Sequence, residues 1–200
     1  MPNAPSSAVL GFRPHTYWTS AVALAGSPSA PQVIERRRIP FAAGEERMVF
    51  HRAEQTDLAS AQVLIEEVRV ATEANAAREI GAFIADLGRG GVSIRIAVVP
   101  EATNKLPDNL EDILRVHARM HAAEGNFYRG VVASGCGLVG LHVHRVVERE
   151  LAALVGDLLE VNASAVEARL KAMGATLGPP WSEDYKLATL AAWLHLDEED

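Results

Sequence analysis

Cysteine is nearly absent from this sequence, and its apolar stretches are short. The single cysteine, Cys136, excludes an intrachain disulfide and any zinc site built from several thiolates. No stretch approaches the roughly 18 apolar residues that a membrane span needs. The N-terminus lacks the charged start and apolar run of a signal peptide. We therefore expect a cytoplasmic protein that does not bind a membrane.

Basic residues are also scarce, since 19 Lys and Arg face 26 Asp and Glu and give a formal charge of −7. Nucleic-acid affinity usually depends on Lys and Arg that neutralise phosphates, so this balance disfavours a nucleic-acid partner. The one dense basic run, Arg36-Arg37-Arg38, falls in a predicted strand, where successive side chains point to opposite faces. We interpret it as a solvated edge strand, with a nucleic-acid patch as the alternative.

What the chain does contain is enough apolar sequence for one sizeable core. Its 200 residues are 48% hydrophobic, which suits a single domain spanning 1–200. Runs rich in β-branched residues, separated by Gly and Pro, predict strands, and longer runs with a period of 3.6 predict helices. The predicted strands cover 7–12, 17–25, 32–41, 92–99 and 141–147, and the predicted long helices cover 57–87 and 109–133.

This order predicts an α/β fold with a five-stranded mixed sheet. Short turns join the first three strands into an antiparallel meander, and two crossover units add two parallel strands, with helices on the faces of the sheet. Residues 148–174 are predicted to form a small helical insertion. A last helix follows Trp181, and 197–200 form an acidic tail.

The element order resembles the ribonuclease H-like superfamily, and in particular the RuvC-type Holliday-junction resolvases. In that family the first strand reads apolar-apolar-Gly-apolar-Asp-Pro. Residues 9–16 here read VLGFRPHT, with Arg13 in the place of the aspartate. Glu101 is the nearest candidate for the family's glutamate in the fourth strand. The family's last helix carries two acids three residues apart, and here Glu183 matches the first while Lys186 falls on the second.

The resemblance implies phosphodiester hydrolysis with two Mg²⁺ ions held by shared carboxylates. A fixed positive charge about 4 Å from a cation costs roughly 4 kcal/mol per unit charge at an effective dielectric near 20. Arg13 therefore predicts that the two-metal site is absent. We hypothesise that Arg13 takes the place of the metal and pairs with Glu101 and Glu183. Alternatively, Glu183 merely favours the positive end of its own helix dipole.

A second group of candidate residues lies on the predicted helix 109–133. His117, His121 and Glu124 share one face at spacings of four and seven residues, and could present two imidazoles and a carboxylate to a metal ion. Alternatively, Glu124 is a buried carboxylate whose partner is a histidine or a backbone amide. His142 and His144, on one face of the neighbouring strand, are the candidate partners.

Residues 135–140 match G-x-G-x-x-G by letter. A dinucleotide fingerprint needs a strand before it and a helix after it, whereas here a helix precedes and a strand follows. We interpret the segment as a loop with a glycine helix cap. No nucleotide cofactor is expected.

Three functions remain open after these observations. The leading interpretation is a non-catalytic RuvC-like protein that serves as a scaffold, an interaction module or a ligand-binding domain. The second is a divergent nuclease with relocated acids, the only case in which Mg²⁺ is expected. The third is a small-molecule enzyme built around His117, His121 and Glu124. The physiological partner and the oligomeric state stay open, with a homodimer among the alternatives.

Overall fold

A five-stranded mixed sheet forms the centre of the computed structural model, which describes residues 6–42, 48–103 and 105–197. The strand order is β3-β2-β1-β4-β5. Neighbours are antiparallel among the first three strands, and β1 pairs with β4, and β4 with β5, in parallel. This architecture confirms the predicted fold. The strands are β1 (Ser6–Pro14), β2 (Trp18–Ser27), β3 (Ala30–Pro40), β4 (Val92–Glu101) and β5 (His142–Val147).

Seven α-helices in the described ranges cover the sheet. They are α1 (Val49–Ala53), α2 (Leu58–Arg89), α3 (Leu110–Leu114), α4 (His117–Leu138), α5 (Leu151–Leu158), α6 (Ala163–Leu177) and α7 (Glu183–Trp193). The predicted helix 109–133 is therefore wrong in its bounds, because the chain breaks at Arg115 and Val116 into α3 and a longer α4. Residues 198–200 of the predicted acidic tail lie outside the described ranges.

The helices form two layers, one on each face of the sheet. Along β1, Leu10 and Phe12 point into a core shared with α2 and α4. Val9 points to the other face, where α5, α6 and α7 pack around the buried Trp193. Gly11 also faces α7, and the helix backbone lies so close that no side chain fits between them. Since side chains alternate along a strand, Arg13 lies on the same face as Val9 and Gly11.

Residues 148–174, predicted as a small helical insertion, form a short 3₁₀ turn, α5 and most of α6. Leu151, Val155, Val166 and Leu170 from this segment are buried against α7. The segment thus supplies part of the second helical layer. Of the helices in the described ranges, none has the length and apolar character needed to cross a bilayer.

The basic run lies on β3, an outer strand of the sheet, as its interpretation as an edge strand requires. Arg36 lies over the rings of Trp181 and Tyr185, with its guanidinium carbon 5.8 and 5.9 Å from the ring centroids. Arg37 points to the opposite face and bonds to Asp86 of α2 at 2.6 Å. Arg38 stacks over Trp18, with its guanidinium carbon 3.8 Å from the ring centroid. Each of the three guanidinium groups is thus held by the protein itself.

The G-x-G-x-x-G segment spans the end of α4 and the turn into β5. A helix precedes it and a strand follows it, as predicted. Its interpretation as a loop is wrong for Gly135 and Gly137, because α4 continues to Leu138. A Cβ atom at Gly135 would lie 2.9 Å from the Cβ of Ala76, so this glycine lets α4 approach α2 closely. Gly140 adopts a left-handed conformation with φ 84°, which ends the turn.

Candidate functional site

The carboxyl ends of β1 and β4 lie side by side where the sheet changes direction. From β1 the chain proceeds to β2 and β3 on one side, while β4 and β5 extend the sheet on the other side. Crevices at such switch points are where open α/β sheets bind ligands. Arg13 stands near the end of β1, and Glu101 is the last residue of β4. The structure thus brings these two predicted residues to the same edge of the sheet.

Arg13 forms an ion pair at this edge with an acid that the sequence analysis missed. Its Nη2 lies 3.3 Å from Oε1 of Glu148, and its Nη1 donates to the carbonyl oxygen of Pro14 at 2.7 Å. The other carboxylate oxygen of Glu148 accepts a hydrogen bond of 3.0 Å from Nη2 of Arg129 on α4. The side chains of the two arginines are only 20% and 14% exposed. We call this group the Arg13–Glu148–Arg129 cluster.

The hypothesis that Arg13 pairs with Glu101 and Glu183 is wrong in its partners. Glu101 accepts a hydrogen bond of 2.9 Å from Nε of Arg145, which projects from the adjacent β5. Glu183 is mostly exposed in the first turn of α7 and pairs at 3.0 Å with Lys186, one turn along the same helix. Both glutamates therefore have a nearer cation than Arg13.

A further contact joins the end of β1 to the first turn of α7. Nε2 of His15 lies 2.9 Å from Oδ1 of Asp184, and the His15 ring stacks on Trp18 with centroids 4.0 Å apart. The sequence pointed to Glu183 in this turn, whereas its neighbour Asp184 is the acid that faces the end of β1. The helical period alone did not distinguish them, because the choice depends on how α7 is rotated against the sheet.

The residues at this edge do not fit a site for two magnesium ions. Glu148, Glu101 and Asp184 each lie within 3.3 Å of an arginine or histidine nitrogen. Magnesium binds carboxylate oxygens, and a fixed positive charge beside those oxygens repels it. The guanidinium of Arg13 also stands where the resemblance places the metal-bridging aspartate. We therefore derive no metal-dependent step at this edge.

A cavity of about 370 Å³ opens beside the Arg13–Glu148–Arg129 cluster. Arg129 and Arg149 contribute positive charge to its walls, and Glu101 and Glu148 contribute negative charge. Leu187 of α7 supplies an apolar wall. We call this cavity the switch-point crevice. Its volume falls within the range of small-molecule sites, and four of its nine lining residues are charged.

Three histidines form a second cluster, at the beginning of α4. His117 and His121 lie on the same face, as predicted, with ring centroids 4.4 Å apart. His51 of α1 faces both, at centroid distances of 5.1 and 4.7 Å. One ring nitrogen from each residue can be chosen so that all three lie within 4.8 Å of one another. His51 was not predicted from the sequence, because α1 is a single short turn without a periodic pattern.

Glu124 lies directly behind this histidine cluster and is almost completely buried, at 3% exposure. Its Oε1 accepts a hydrogen bond of 2.8 Å from the backbone N–H of Phe50 and lies 3.6 Å from Nδ1 of His51. Burial raises the pKa of the Glu124 carboxyl above its usual range, although the Phe50 amide and His51 oppose this shift. A buried glutamate beside a backbone amide and a histidine is the arrangement that the alternative interpretation predicted.

The histidine beside Glu124 is not one of the two that were expected. His142 and His144 contact each other, with centroids 4.6 Å apart, and His144 also contacts His195 at 4.1 Å. The expectation that β5 supplies the partner of Glu124 is therefore wrong, because α1 occupies that side of the carboxylate.

The electrostatics of the histidine cluster favour a neutral imidazole at His121. Loss of surrounding water lowers the pKa of His121, and the neighbouring His117 and His51 lower it further, because adjacent imidazolium charges repel one another. Neutral imidazole is the form of histidine that binds metal ions. The cluster is therefore chemically suited to a transition metal, and the predicted role of His117 and His121 as metal ligands stays a prediction.

Comparison with solved structures shows that the chain has the ribonuclease H-like fold of RuvC. The structure of Thermus thermophilus RuvC in complex with a Holliday junction substrate is 13% identical, with a TM-score of 0.51, over 94% of this chain and 92% of that one. A second Thermus thermophilus RuvC structure is 11% identical, with the same TM-score and coverage. No protein-family model and no curated protein matches the sequence. The likeness is therefore one of fold.

Proposed function

We propose that this protein is a non-catalytic RuvC-like domain, a pseudoenzyme that binds an anionic ligand in the switch-point crevice. The observation that carries the proposal is the Arg13–Glu148–Arg129 cluster at the carboxyl end of β1. The partly buried guanidinium of Arg13 stands where the resemblance implies a metal-bridging acid, and that of Arg129 binds the other oxygen of Glu148. Each unit of like charge at about 4 Å opposes a cation by roughly 4 kcal/mol, so a dication is disfavoured by about twice that amount.

The charges around the crevice favour an anion as the ligand. Arg13, Arg129 and Arg145 share the two carboxylates of Glu101 and Glu148, which leaves one positive charge in excess. Of the arginines around the crevice, Arg129 and Arg149 line its walls, and Arg149 pairs with Glu150 at 3.8 Å. This local excess contrasts with the charge of −7 of the whole chain. Guanidinium groups bind carboxylate and phosphate oxygens through paired hydrogen bonds.

The proposal is tested first by activity. Purified protein is incubated with four-way junction, duplex and RNA–DNA hybrid substrates in Mg²⁺ or Mn²⁺, and we expect no cleavage. Cleavage that disappears in a Glu101→Gln or Glu183→Gln variant would establish the divergent nuclease instead and would end the proposal.

The second test measures anion binding. At low anion concentration, where general stabilisation by excluded salts is small, we expect sulfate, inorganic phosphate or oxalate to raise the melting temperature more than chloride does at equal ionic strength, because binding to the folded state alone stabilises it. Arg129→Gln should remove that difference. Arg78→Gln, on the exposed face of α2, is the matched control and should retain it. An identical response to all anions in the wild-type protein would contradict an anion site in the crevice.

A further inference from the structure

The histidine cluster contains several buried polar atoms without a hydrogen bond. Both ring nitrogens of His51 and Oε2 of Glu124 are buried, and none has a hydrogen-bond partner among the described residues. Buried polar atoms in folded proteins nearly always have a partner, and each exception needs an explanation. These three atoms lie in one small volume, because His51 and Glu124 contact each other. A group bound to one ring nitrogen of His51 would account for that atom and would leave the other nitrogen to face Glu124.

The positions of the three imidazoles indicate what that group is. His117 and His121 are one helical turn apart on α4, and His51 approaches them from α1, so three nitrogen ligands converge from two elements. Zinc binds imidazole nitrogen at 2.0–2.1 Å, which places tetrahedral ligands roughly 3.4 Å apart. The three imidazole nitrogens of the cluster lie within 4.8 Å of one another, so the distance between any two of them exceeds the tetrahedral spacing by about 1.4 Å at most. His117 and His121 are exposed, so rotation of their side chains can close the difference.

We propose that His51, His117 and His121 bind a divalent transition-metal ion of the zinc class, and that Glu124 orients His51 from behind. Imidazole ligands select Zn²⁺, Ni²⁺, Co²⁺ or Cu²⁺ over Mg²⁺ and Ca²⁺, which prefer oxygen. Metal-bound histidines usually donate their second ring N–H to a carboxylate or carbonyl oxygen. Glu124 is placed for this role, with Oε1 3.6 Å from Nδ1 of His51, which leaves Nε2 for the metal.

In this proposal Glu124 orients a metal ligand, whereas its spacing on the helix suggested that it binds the metal itself. The three mutually close ligand atoms come from the histidines, and Oε1 of Glu124 already accepts the backbone N–H of Phe50. Three histidine ligands leave a fourth tetrahedral position for water or for an external ligand. The metal would add a link between α1 and α4, which also meet through the hydrogen bond from Phe50 to Glu124 and a small apolar cluster around Phe50 and Met120.

This site is separate from the switch-point crevice. Along α4, His117 and Arg129 are twelve residues apart, which corresponds to roughly 18 Å at 1.5 Å per residue. The ligand chemistries also differ, since the crevice presents guanidinium groups and the cluster presents imidazoles. Metal binding at the histidines and anion binding in the crevice can therefore succeed or fail independently.

The experiment uses the full-length protein after treatment with EDTA, titrated with Zn²⁺ by calorimetry and with Co²⁺ by visible absorption. We expect one ion per chain, with the absorption bands of tetrahedral Co²⁺. His121→Gln changes an exposed residue and should weaken Zn²⁺ binding by more than the roughly 10–100-fold that is typical when an outer partner is lost. Glu124→Gln should weaken it by that smaller factor, because the glutamine still accepts the Phe50 N–H. Circular dichroism of the metal-free variants verifies that they fold.

His142→Gln is the matched control, since His142 is an exposed histidine outside the cluster. It should bind Zn²⁺ like the wild-type protein. The proposal is overturned if the wild-type protein binds no Zn²⁺ at one equivalent, or if His121→Gln and a His117→Gln/His121→Gln double variant bind as tightly as the wild type. Loss of binding in His142→Gln alone would place the metal at the histidines of β5 and would equally overturn it.

Discussion

Replacement of Gly11 by alanine should disrupt the packing of α7 on the sheet and destabilise the protein. Gly11 lies in the middle of β1, and the backbone of α7 crosses directly over it. A Cβ atom at this position would lie 1.8 Å from the carbonyl oxygen of Ala188 and 2.7 Å from the amide nitrogen of Ala192. Both contacts are with backbone atoms, so no rotation of a side chain relieves them. Either α7 or β1 has to move.

The size of the effect follows from the displacement. Real Cβ atoms essentially never approach another heavy atom within 3.0 Å, so the contact of 1.8 Å has to lengthen by at least 1.2 Å. Overpacking of a core that adjusts through side chains costs about 1–3 kcal/mol. Because the obstacle here is a helix backbone, we expect a loss of about 3 kcal/mol or more in the free energy of unfolding. For a chain of this length the melting temperature should fall by about 6–12 °C.

Thermal unfolding followed by circular dichroism measures this loss. Gly130→Ala in α4 is the matched control, since a Cβ atom there meets no described atom within 4 Å outside its own helix turns. Alanine should stabilise that helix by about 0.8–1 kcal/mol, which raises the melting temperature by roughly 2–4 °C. If the Gly11→Ala variant melts within about 2 °C of the wild type while the control behaves as expected, the backbone of α7 does not pack against Gly11 as described.

Two further predictions concern titration and thiol access. The hydrogen bond from Arg37 lowers the pKa of Asp86, so the stability that this pair contributes is present above the usual aspartate pKa of about 3.9 and is lost as the pH falls through the lower folded value. In urea titrations, the stability advantage of the wild type over Asp86→Asn should therefore shrink as the pH falls below about 4. A constant difference at all pH values would contradict the pairing. Burial raises the pKa of the Cys136 thiol and makes it inaccessible, so Ellman's reagent should label it only when the whole protein unfolds. Rapid labelling of the native protein would show instead that the contact of α4 with the sheet opens locally.

The strands could be predicted from the sequence because their ends carry their own signals. Pro14 and Pro40 end β1 and β3, and Gly91 precedes β4 with a positive φ that favours glycine. The division of the next helical segment into α3 and α4 had no such signal. No glycine or proline stands at the break, and the cap residue of α4, Val116, has no side-chain hydrogen bond. The break depends on tertiary packing of the two pieces, which a local pattern does not encode.

The residues of the candidate sites likewise fall into those that a local pattern predicts and those that depend on tertiary packing. His117 and His121 were predicted because both lie on one helix, where a spacing of four residues guarantees proximity. His51 was missed, since its place opposite them depends on how α1 packs on α4. Glu148 was also missed as the partner of Arg13. The two are 135 positions apart in sequence, and only the strand order brings the end of β5 close to the end of β1. Contacts between elements therefore required the structure.

The arginines of β3 have a consequence for how the molecule behaves beside copies of itself. An outer strand offers unpaired backbone groups to any extended chain, and this is a common route to aggregation. On β3, Arg36 and Arg38 lie over aromatic rings and Arg37 pairs with Asp86, so the protein itself holds all three guanidinium groups along this strand. An incoming strand would have to pack alongside three arginines. The same residues that mark the border of the sheet therefore protect it from growing by intermolecular pairing.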